Sequence, residues 1–249
     1  MLTFALLAAV ALVVGFFVGA VGVGTVLMVP TFALAAGLPI HSAAGTALFT
    51  GVFAGIWGTW LFARTGHMPW RMAVCLATGS ALGSYPGAQL AASLGSGTLT
   101  VVIAMIIVLA GILSMRPVST QVYTLEKRGG TPEIAGLVAV GMLAGFGAGL
   151  SGAGGPVFAV PILLLLGYPS LPVVACTSFI ALTASVAASV SNWQHGFVDY
   201  RFALWAAVFL LAGQVFGVRF AHRANPLVLR RLAAGMCIVI GAGLAFVKH

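Results

Sequence analysis

Hydroxyls and glycines, not acids, are the residues in this chain whose types and spacing could do chemistry. Thr46 in A-A-G-T-A and Thr177-Ser178 in A-C-T-S-F follow Pro39 and Pro169 by a few residues, at matching places in two similar stretches. Gln214 is the amide deep in a late apolar run, and Arg219 follows it by a turn and a residue, where a long side chain snorkels to the interface. Gly22, Gly24 and Thr25 in one stretch, and Gly152, Gly154 and Gly155 in the other, fall inside apolar runs too long for one membrane helix. A helix interrupted there frees backbone N–H groups at a positive dipole end, which suits a bound anion. Ser151, in Gly149-Leu150-Ser151-Gly152, has a nucleophile's setting and would need a histidine at membrane depth to take its proton. His195 and His222 lie at segment ends, and Val21 stands where Ser151 would be in the other stretch. Passage of a small anion is the main reading, with intramembrane serine proteolysis and a non-transporting membrane scaffold as alternatives.

Composition dictates what must position these residues. The chain has 249 residues, is 61% hydrophobic and only 6% charged. Water-facing surfaces are roughly a quarter or more charged, so the chain belongs in lipid. There, backbone amides must be satisfied internally, and continuous apolar runs of about 20 residues specify helices over a closed barrel. Apolar segments run over 2–37, 41–63, 71–93, 98–115, 134–166, 171–193, 201–221 and 228–247. Glu126, Glu133 and Asp199 are the three acids, all outside these spans, which argues against a carboxylate proton relay. Cys75, Cys176 and Cys237 stand apart without metal-ligand spacing, so neither a metal nor another cofactor is expected. Eleven Lys and Arg confined to loops and segment ends read as topology determinants, not a nucleic-acid surface.

Those segments repeat. G-F-F-V-G-A-V-G-V-G from Gly15 to Gly24 answers to G-F-G-A-G-L-S-G-A-G from Gly145 to Gly154, with four glycines coincident. Pro30 then answers to Pro161, Gly37 to Gly167, Thr46 to Thr177, Arg71 to Arg201, and Gly83 and Gly87 to Gly213 and Gly217. The expected fold is an all-α polytopic membrane protein of two homologous repeats, residues 1–115 and 134–249, joined by a cytoplasmic linker over 116–133. At about 1.5 Å per residue, 20 residues already cross the hydrocarbon, so the first segment of each repeat must break, giving 8–10 membrane segments. Five passes per half put Arg64, Arg71, Arg116, Lys127, Arg128, Arg219, Arg223, Arg230 and Arg231 on one side, against Arg201 and Lys248 on the other. The positive-inside rule therefore predicts inverted repeats, with both termini outside the cytoplasm.

The glycine-rich first segment ending in proline, the G-T or T-S after a short loop, and Gly196-Phe-Val-Asp199-Tyr200-Arg201 carry a family resemblance. A weaker Gly66-His-Met-Pro-Trp70-Arg71 and the G-x-x-x-G helix in each half add to it. The chain resembles the sulfite exporter TauE/SafE family, the TSUP permeases, over nearly its whole length. The resemblance implies a multi-pass permease of the bacterial inner membrane that exports sulfite, sulfonates or related small organic anions. It leaves the individual anion open, and a homo-oligomer is compatible with it. Pro69 departs from the family's loop aspartate, so any role of Asp199 need not be doubled.

Overall fold

The computed structural model describes residues 2–22, 24–64, 66, 68–115, 131–152, 155–168 and 170–221. The tenth expected segment, most of the linker and Gly154 lie outside the described residues. Among those described there are helices and no strands: α1 (Leu2–Val21), a 3-10 turn (Thr25–Leu27), α2 (Met28–Ala35), α3 (Ile40–Arg64), α4 (Trp70–Ser93) and α5 (Ser96–Met115), then α6 (Thr131–Ser151), α7 (Pro156–Leu165), α8 (Ser170–Gln194) and α9 (Tyr200–Ala221). Helix α6 begins at Thr131, inside the stretch read as linker, because Pro132 suits a first helical turn where no N–H is required. Four described helical stretches are long and apolar enough to cross a membrane: Ile40–Arg64, Pro132–Ser151, Pro172–Gln194 and Tyr200–Phe220. Leu143 and Val208 on two of these helices, and Leu82 on α4, are each about two-thirds exposed, as lipid-facing side chains are.

Both expected breaks are present. Helix α1 stops because Gly22 turns left-handed at φ +79° while its N–H still bonds Val18 O at 3.0 Å; α6 stops alike at Gly152, φ +69°, bonded to Ala148 O at 2.9 Å. Only glycine takes that conformation without a Cβ penalty. Pro156 then opens α7. The other left-handed glycines among the described residues, Gly37, Gly66, Gly167 and Gly196, obey the same offset: each early one recurs 130 positions later.

Packing interlocks the two halves. Helix α1 lies against α9 and α6 against α4, each first helix taking its partner from the other half, while α3 crosses α8. Glycines set these approaches. A Cβ on Gly15 would strike the backbone of Leu210 and one on Gly19 that of Gln214; Gly145 and Gly149 face the backbones of Ser80 and Ser84 in the same way. Every residue of the second set stands 130 positions from its counterpart in the first. In lipid there is little hydrophobic drive between helices, so close backbone approach through small residues is what associates them.

Candidate functional site

The first break, the middle of α3 and the early part of α8 enclose a small cavity. Val18, Gly22, Thr25, Ala54, Gly55, Pro156, Thr177, Ser178 and Ala181 line it, and it has room for the centre of about one water molecule, ≈ 10 Å³. Gly22 packs directly on the Thr177 hydroxyl, and Gly55 on the backbone of Leu182. An anion of several heavy atoms therefore requires the break and α8 to move apart.

Two polar side chains meet at one edge of this space. Gln214 is fully buried and donates from Nε2 to Ala54 O at 3.1 Å, tying α9 to α3. Ser178, 4% exposed, lines the cavity. A Cβ on Gly58 would collide with both Gln214 Nε2 and Ser178 Oγ, so the absent side chain of that glycine is what lets them converge. Ser178 Oγ and Gln214 Oε1 are buried without a hydrogen-bond partner. Leaving such groups unpaired costs about 1–3 kcal/mol each. Ser178→Ala should accordingly leave thermal stability unchanged or raise it by up to about 1 kcal/mol, while lowering transport roughly tenfold if the hydroxyl meets the cargo. Thermal unfolding in detergent and flux in liposomes read the two effects separately.

Among the described residues the polar pair occurs once. Helices α3 and α8 are both 25 residues long and start 130 positions apart, which pairs Ser178 with Leu48 and Gly58 with Ala188. Leu48 and Ala188 form, with Ala88, a buried apolar cluster. The helix bounds also correct one expected pairing: Thr46 answers to Cys176, and Thr177 to Ala47.

Of the residues singled out in the sequence, Gly22, Thr25, Thr177 and Ser178 come together at the cavity, with Gln214 adjoining. Thr177 Oγ1 donates to Val174 O at 2.5 Å and is the atom that a Cβ on Gly22 would strike. Gly24 packs on Val14 and Val18. Gly152 lies against Val29 and Ala44, and Gly155 against Ile180, so the second break contributes Pro156 to the lining while Gly152 and Gly155 pack elsewhere. Ser151 is buried and donates to Gly147 O at 2.6 Å. The described histidines are engaged at other places: His41 Nε2 pairs with Leu94 O at 3.0 Å, and His195 Nδ1 with Ser191 O at 2.8 Å.

Thr46 is not at the cavity. Its Oγ1 accepts the Asp199 N–H at 3.0 Å, and its carbonyl accepts the Thr50 hydroxyl at 2.8 Å, which pins the α8–α9 loop onto α3. Asp199 Oδ1 in turn accepts the N–H groups of Arg201 and Phe202, capping α9. In the first half Pro69 holds the equivalent place before α4 and makes no side-chain cap, so the aspartate's capping role is not duplicated. Gly58 and the Ala54 carbonyl were not legible in the sequence. Gly58 is off the four-residue spacing of Gly51 and Gly55, and a backbone carbonyl leaves no mark on composition.

Comparison with known proteins agrees with this architecture. The family model for the sulfite exporter TauE/SafE matches residues 7–244. A probable membrane transporter protein of Bacillus subtilis, YdhB, is 24% identical over 220 residues, covering 86% of this chain and 87% of its own. Another from that organism, YunE, is 26% identical over 198 residues, covering 74% and 71%. The probable membrane transporter protein MJ0441 of Methanocaldococcus jannaschii is 24% identical over 257 residues, covering 96% and 95%. With apolar helices able to span a bilayer and a family match over nearly its whole length, this chain is a multi-pass membrane transporter belonging to the sulfite exporter TauE/SafE family.

Proposed function

We propose that this transporter moves sulfite, or a small organosulfonate or other organic anion, out of the cell through the cavity at the first helix break, without a coupling ion. The observation that carries the reading is a small cavity at a broken helix, lined by uncharged hydroxyls with an amide adjoining, in spans whose interiors hold no carboxylate among the described residues. Of the acids, the described Glu133 and Asp199 lie at helix starts, Glu133 accepting the Tyr168 hydroxyl at 3.1 Å and Asp199 capping α9. Neutral donors can replace part of an anion's hydration without fixing it as strongly as a buried cation would. A cytoplasm-negative potential then drives one negative charge outward by about 2.3 kcal/mol per 100 mV, roughly a fiftyfold concentration ratio. The reading keeps the inverted halves that the basic residues predict, with their cytoplasmic side positive and so enriched in anions.

In liposomes containing the purified protein, a potential negative on the cytoplasmic face should accelerate sulfite exit from that face at constant pH. A pH gradient at zero potential should do no more than change the ionisation of sulfite itself. Accumulation of a permanently ionised sulfonate driven by a proton gradient alone would overturn the uncoupled mechanism. Flux also separates the carrier reading from a scaffold. Against proteolysis stands the geometry of Ser151, whose hydroxyl is bonded to its own helix while His41 and His195 bond Leu94 O and Ser191 O.

A further inference from the structure

We infer that the cargo is an anion that brings its own hydrogen-bond donor, an O–H or N–H, and that Gln214 Oε1 selects for it; the inference rests on the permease reading above. The Ala54 carbonyl determines which way the Gln214 amide points, because only the –NH₂ end can donate to it. Oε1 is thereby left as a fully buried acceptor without a partner. Ser178 Oγ, unpartnered and 4% exposed, lines the cavity and lies beside the Nε2 end of the Gln214 amide over Gly58, and its hydroxyl can donate as well as accept. The pair thus offers a donor to one atom of a guest and demands a donor from another. Once the break and α8 part to admit cargo, a bare anion that reached Oε1 would face it with its own lone pairs, acceptor against acceptor. An anion keeping one proton on oxygen, or carrying an amino group, satisfies both sides. The demand is specific to this place, since its counterpart 130 positions away is closed by Leu48 and Ala188.

Sulfamate and methanesulfonate test this at one pH. They are nearly equal in size and equal in charge near neutrality, and differ in an –NH₂ against a –CH₃. Sites built to hydrogen-bond a polar hydrogen reject analogues that lack it by large factors, so sulfamate should cross the wild-type protein at least ~10-fold faster than methanesulfonate. In Gln214→Met the ratio should fall towards one, whatever the absolute rates. Equal flux of the two anions through wild type would overturn the inference and leave the anion-permease reading intact, as would sulfite flux without sulfamate flux. If none of the three anions moves, the permease reading fails and the inference with it. The wild-type comparison stands even if the variant does not fold.

Discussion

Gly22→Ala should reduce anion flux per reconstituted molecule by roughly a hundredfold, about 2.7 kcal/mol on the transport barrier. Two effects combine at this position. Gly22 is left-handed at φ +79°, where a Cβ costs about 1–2 kcal/mol, and that Cβ would also run into the Thr177 hydroxyl across the mouth of the cavity. Gly37 is the control, because it is left-handed at φ +67° with nothing within 4 Å of its virtual Cβ. Gly37→Ala should therefore show the backbone strain alone and keep most of its flux. Sulfite efflux from liposomes, normalised to reconstituted protein, measures both. Matching losses in the two variants would mean that the break at Gly22 matters only as a bend and not as a wall of the site.

The second large effect concerns assembly. Gly145→Leu should cut the amount of folded protein in the membrane at least fivefold, because even its Cβ would strike the Ser80 carbonyl where α6 crosses α4. Forcing extra atoms into a packed contact costs typically 1–3 kcal/mol, and here the obstacle is backbone that cannot rotate away. A loss of that size changes abundance several-fold in cells. Gly136→Leu, on the same helix with nothing within 4 Å, should express normally. Immunoblots of membrane fractions and gel filtration of detergent extracts distinguish the two variants. Equal, monodisperse yields would show that the α4–α6 contact is not what holds the halves together.

These two glycines differ in how far the sequence announced them. Gly22 and Gly152 were legible as helix breaks, because apolar runs of 36 and 33 residues exceed what one membrane helix needs and glycine is where such a run yields. Gly145 was legible as a packing glycine through its spacing with Gly141 and Gly149, but nothing in that spacing names Ser80 as its partner. The interlocking of each first helix with the other half, α1 on α9 and α6 on α4, is a long-range choice that local pattern does not encode.

The candidate site divides along the same line. Thr177 and Ser178 were visible as hydroxyls following a proline, yet so was Thr46, and the sequence offered no ground for separating them. Their separation depends on helix rotation. In α8 the hydroxyls turn towards Gly22 and Gly58, whereas in α3 Thr46 turns to the Asp199 amide and Leu48 fills the place equivalent to Ser178. The sequence by itself determined the membrane helices, their breaks and the recurrence of both, because apolar length, glycine and proline act on residues close in the chain. Only the tertiary structure decided that a single polar pair, Ser178 and Gln214, would meet behind one break, because that meeting joins α3, α8 and α9 and turns on a glycine that leaves them room.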